Sequence, residues 1–106
     1  MTIEYIGQAD TEFVGKADSM LAEYTAMLRR SDARNAEARE LLADAEALAA
    51  EVRDLDNAEF MAAPDEQVRI GAHRALLQRE IDAKSSRVLQ LHQETFQEWE
   101  AWTARQ

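Results

Sequence analysis

The sequence predicts an all-α fold: a long antiparallel helical hairpin of coiled-coil type. Three observations carry that prediction. Every seventh residue from Phe13 to Leu55 reads Phe13, Met20, Met27, Arg34, Leu41, Leu48, Leu55, so a line of mostly apolar side chains runs along one helix face. The 106 residues include 3 Gly and 1 Pro, far too few for a turn-rich β fold. Ala alone supplies 20 residues, and Ala, Leu, Glu, Arg and Gln together favour helix intrinsically. The length fits one helical domain, with helix 1 over about residues 10–56, a turn over 57–64 and helix 2 over about 65–103.

Helix 1 is expected to start near Asp10 or Thr11, either of which can cap the first turn, with Glu12 placed favourably for the helix dipole. Residues 2–7 alternate weakly and read as either a short extended arm or a frayed cap. The apolar stripe of helix 1 is three columns wide. Beside the first column run Val14, Leu21, Leu28, Asn35, Leu42, Ala49, and then Ala17, Tyr24, Ser31, Ala38, Ala45, Val52. Three apolar positions in seven suit a bundle helix more than a two-stranded zipper. A hairpin alone leaves part of such a stripe wet, so the expected unit is a four-helix bundle, completed by self-association or with a partner.

The turn is expected at Asp56 to Asp65. Asn57 suits a helix end, and Pro64 disfavours helix at Ala63 while fitting the first turn of a new helix. Phe60 and Met61 are expected to tuck under this turn. Helix 2 lines one face with Ile70, Leu77, Ile81, Val88, Leu91 and Trp102. A fold-back at residue 60 places Leu77 against Ala43 and Ile70 against Ala50. It also sets Ser31 to Asn35 opposite Lys84 to Arg87, giving either a matched polar level that locks register or a joint in the helices.

The chemistry-bearing residues point away from an enzyme. There is no Cys, and Ser19, Ser31, Ser85 and Ser86 have no base in a recognisable arrangement. Gly7, Gly15 and Gly71 are isolated, so no phosphate loop exists. Bundle metal sites place Glu three residues before His; here Ile70 precedes His73 and Leu89 precedes His92. Glu66, His73 and Glu80 share a face, which reads as a solvated His between acids. Neither a metal nor a cofactor is expected. The Arg cluster Arg29, Arg30, Arg34 and Arg39 is interleaved with Asp32, Glu37 and Glu40 and reads as local ion pairs.

The formal net charge is −9, with 13 acids and 6 bases in residues 1–56 (−7) against 8 acids and 6 bases in 57–106 (−2). Direct contact with nucleic acid or an anionic membrane is therefore not expected, because both need basic patches. A protein partner, including a basic one, fits this charge. The acidic column Glu37, Glu40, Asp44, Glu51 and Asp54 lies about 120° from the leucine stripe and extends roughly 25 Å. At the other extreme of polarity, Phe96, Trp99 and Trp102 cluster near the end of helix 2, and Trp is enriched at binding hot spots.

Two functional expectations follow. The first is a non-enzymatic interaction module (an adaptor, a chaperone-like partner or an assembly component), most simply a homodimer. The alternative is an acidic inhibitor that imitates nucleic acid and blocks a basic nucleic-acid-binding protein, of the anti-restriction or anti-CRISPR type. The N-terminal residues lack a basic region and an apolar run, so the expected compartment is the cytoplasm, with a signal-less secretion route open. In size and helix-turn-helix layout the chain resembles the small hairpin substrates of type VII secretion. Its turn, Asn57 to Pro64, has no Trp-x-Gly and no Tyr follows Tyr24, so no functional residue carries over from that resemblance.

Overall fold

The computed structural model describes the backbone of residues 3–106 and the side chains of residues 14–106. It consists of two helices, α1 (Ile3–Met61) and α2 (Pro64–Ala104), and no strand occurs among the described residues. The backbone is helical from Ile3, so the expected arm and the expected cap at Asp10 or Thr11 give way to continuous helix. The side chains of residues 3–13, Phe13 among them, lie outside the described residues. α1 stays helical through Ser31 to Asn35 and α2 through Lys84 to Arg87, so neither helix breaks at a joint there.

The chain divides into two compact units, Met1–Ala33 and Arg34–Gln106. The first is the N-terminal part of α1. Along it Val14, Met20, Leu21 and Leu28 are exposed, while Met27 is buried. The second is an antiparallel hairpin between residues 34–61 of α1 and the whole of α2.

The hairpin turns over two residues, Ala62 and Ala63. Pro64 explains where. It has no N–H to donate into a helix, and its ring pushes the preceding residue out of the helical region. Ala63 accordingly sits at φ −67° and ψ 157°, and Pro64 takes the first position of α2, followed by Asp65 and Glu66 at the positive end of the helix dipole. α1 runs five residues beyond Asp56 because Asn57 merely prefers helix ends, whereas nothing between Ala58 and Met61 opposes helix. One carbonyl at the end of α1 finds two donors: Ala62 N–H reaches Glu59 O at 3.2 Å, and Gln67 Nε2 reaches the same oxygen at 3.2 Å.

This later turn shifts the register. Cross-helix ion pairs join Arg34 with Glu94 and Glu98, Glu37 with Arg87, Asp44 with Lys84, and Asp56 with Arg74. They are centred near Pro64, not near residue 60, so the pairings of Leu77 with Ala43 and Ile70 with Ala50 do not form. The matched polar level is corrected for the same reason. Arg34 lies level with Glu94 to Glu98, about two helical turns beyond Lys84 to Arg87.

Two heptad columns of α1 form the seam. Ala38, Val88 and Leu91 make the core, with Leu41 packed against it, and Leu77 is buried as well. Leu48, Leu55, Ala45 and Val52 continue the same two columns half-buried. The third column joins only in part: Ala49 is half-buried, but Leu42 remains 47% exposed. Phe60 and Met61 do not tuck under the turn; they are 86% and 82% exposed. Glu59 is the last seam residue of α1, so the next two positions rotate about 100° and 200° away from α2.

Leu91 is 2% exposed, so Leu91→Ala should destabilise the hairpin by about 2–5 kcal/mol, read as a fall in urea midpoint by circular dichroism. Gly71 has no need to be glycine. A Cβ there would lie 3.8 Å from Glu59 Oε1, an ordinary contact. Gly71→Ala should therefore stabilise by about 0.5–1 kcal/mol in the same measurement.

Candidate functional site

The hairpin has two unlike flanks. Glu37 and Arg87 each precede a buried seam residue, Ala38 and Val88. Leu42 follows the half-buried seam residue Leu41, and Leu89 follows the buried Val88. A step of one residue turns a helix by about 100°, and in an antiparallel pair equal steps from the seam fall on the same side. One flank therefore carries Glu37 and Arg87, and the other carries Leu42 and Leu89.

The first flank holds the acidic column, and α2 reaches into it. Arg87 Nε donates to Glu37 Oε2 at 2.8 Å, and Lys84 Nζ lies 3.8 Å from Asp44 Oδ2. Glu40, Glu51 and Asp54 are exposed and make no ion pair among the described residues. The column is thus part bridge and part free charge. Sequence reasoning missed the bridging bases because their place depends on the register. An open cleft of about 270 Å³ lies here, lined by Asp44, Ala47, Leu48, Glu80 and Lys84.

Arg34 sits within this network. Its Nη1 donates to Thr95 Oγ1 at 3.1 Å and to Glu98 Oε1 at 3.4 Å, while Nε lies 3.8 Å from Glu94 Oε2. Glu94 also lies 3.9 Å from Arg87, so it bridges two guanidiniums. A basic residue in an apolar column was visible in the sequence; its acidic partners were not.

The second flank exposes large apolar side chains among charged and polar ones. Leu42 is 47%, Leu89 59% and Phe96 67% exposed. Phe96 is the most exposed of the expected aromatic trio. Trp99 and Trp102 are half-buried and pack edge to face, with ring centroids 6.1 Å apart and an interplanar angle of 82°. Near the tip Phe60, Met61 and Val68 are exposed as well, which the sequence did not foresee.

Near the tip Arg74 ties the helices together. Its Nη1 donates to Asp56 Oδ1 at 2.9 Å and to Glu59 Oε2. The Asp56 hydrogen bond and the Glu59 charge hold its guanidinium above the ordinary arginine value. A raised cationic pKa contributes stability below the unfolded value and loses it only as pH rises through the folded one. The tie is therefore insensitive to arginine titration anywhere near neutral pH.

Both His73 and His92 are exposed, and among the described residues no group of three or more His, Asp or Glu could hold a metal ion. No helix is long and apolar enough to cross a membrane, among the described residues. No protein-family model matches the chain, and neither a curated protein nor a solved structure matches it.

Replacing Arg74 by Gln should speed amide exchange over residues 59–70 and leave the urea midpoint nearly unchanged, because the tie is partly solvated and local. Hydrogen exchange followed by mass spectrometry reads this directly.

Proposed function

We propose that this chain is a non-enzymatic protein–protein interaction module, working as an adaptor, a chaperone-like partner or an assembly component. The supporting observation is that two helices leave the third apolar column of α1 partly uncovered. Leu42, Leu89 and Phe96 stay exposed along one flank, an arrangement that more helices would complete. In its simplest form two hairpins associate as a homodimeric four-helix bundle; a partner's helices would serve the same flank. Phe96, with Trp99 and Trp102 close by in sequence, offers the large rings that dominate binding energy at interfaces. The net charge of −9 favours a protein partner, a basic one included, over nucleic acid or an anionic membrane.

A second reading rests on Glu40, Glu51 and Asp54, the carboxylates left free on the opposite flank. Together with Glu37 and Asp44 they make an acidic ridge of the kind that occupies a basic groove. In this reading the chain is an inhibitor that imitates nucleic acid. Arg87 and Lys84 lower the charge of that ridge, which places this reading second.

Affinity capture from native lysate, with mass spectrometry, separates the two when run on the parent chain and two variants. The interaction-module reading expects a partner retained by Glu40→Lys/Asp44→Lys/Glu51→Lys and lost, by tenfold or more in recovery, on Phe96→Ala/Trp99→Ala/Trp102→Ala. The reverse pattern would replace it with the inhibitor.

A further inference from the structure

We infer that a second copy of this chain docks on the flank that bears Leu42, its α1 antiparallel to the first across a two-fold axis between Leu42 and Ala43. Arg39 of each copy then meets Glu46 of the other. The inference rests on the interaction-module reading and names both the occupant and the face.

The flank itself is the first argument. Leu42 follows the seam residue Leu41 and is 47% exposed, while the opposite flank is bridged by Glu37 with Arg87 and Asp44 with Lys84. Arg39 stands three residues before Leu42 and Glu46 four residues after it. All three lie in one row of the helix surface. Ala49, three residues further, continues the row with a small side chain that permits close approach.

Charge identifies the occupant. Arg39 and Glu46 are both exposed and make no ion pair among the described residues. The helical neighbours of Arg39 at three and four residues are Asn35, Ala36, Leu42 and Ala43. Those of Glu46 are Leu42, Ala43, Ala49 and Ala50. None carries charge, so neither residue has an opposite sign within reach on its own helix. An antiparallel copy centred between Leu42 and Ala43 exchanges positions 39 and 46, so each interface contains two opposite-charge contacts. A parallel copy would set Arg39 against Arg39 and Glu46 against Glu46.

The row is therefore self-complementary under the two-fold symmetry that isologous dimers use. It is also locally neutral in a chain of net charge −9. The other flank, with Glu40, Glu51 and Asp54 exposed, would repel its own copy.

Sedimentation velocity on the full chain at micromolar concentrations tests this, with circular dichroism confirming that each variant is helical. The parent is expected to sediment as a dimer and Leu42→Asp as a monomer. Leu76→Asp is expected to keep the dimer, since Leu76 is 60% exposed but lies on another face of α2. R39E and E46R should each weaken the dimer about tenfold, because two attractive contacts become repulsive. The R39E/E46R double variant, and an equimolar mixture of the two single variants, should both recover it.

A dimer indifferent to Leu42→Asp and to the charge swaps overturns the face. A parent that stays monomeric overturns self-docking. If that monomer still captures a partner through Phe96, Trp99 and Trp102, the interaction-module reading stands and only the occupant is wrong.

Discussion

The register of the hairpin rests on one missing hydrogen. Pro64 cannot donate a backbone bond, and its ring holds Ala63 in an extended conformation, so the chain reverses within two residues. Every cross-helix contact is counted from that point. A residue gained or lost in the turn would rotate one seam face by about 100° and carry Arg87 away from Glu37. Because the turn has no slack to absorb such an error, a single local constraint places charges that are sixty residues apart in sequence.

The seam that results is thin and half polar. Ala38, Val88 and Leu91 pack as a buried core, but Arg34, Lys84, Thr95 and Glu98 occupy seam positions on either side of it. Polar and charged residues at such positions contribute little net stability, since their desolvation offsets their attraction. What they supply is selectivity. A slipped register leaves Arg34 facing apolar side chains, and that cost disfavours the slip more than the correct pairing stabilises the fold. The small Ala38 fits the same picture, leaving room for Val88 and Leu91 on the opposing helix.

Much of this was legible in the sequence, and the remainder failed for one reason. The columns through Leu41, Leu48 and Leu55 and through Ala38, Ala45 and Val52 were read from spacing alone, and both line the seam. Spacing also showed that a third column existed, although only the hairpin reveals that Leu42 is left outside. The turn falls inside the expected 57–64, but its fold-back was centred too early, because Asn57 expresses a preference whereas Pro64 imposes a prohibition. From that error came the displaced polar level, the mistaken partners of Arg34 and the expectation that Phe60 and Met61 would be covered. The acidic column was half legible. Its carboxylates follow from helical periodicity, but the bases that bridge Glu37 and Asp44 sit on the other helix, and no pattern within α1 points to them.

The methionines acquire different chemical fates from this arrangement. Met61 projects from the tip with 82% of its surface exposed, whereas Met27 is 1% exposed. An oxidant reaches the thioether of the first and is shielded from that of the second. Conversion of Met61 to its sulfoxide makes an exposed apolar side chain at the tip polar, while the shielded Met27 is untouched. The end of the hairpin is thus redox-labile in a molecule with no cysteine.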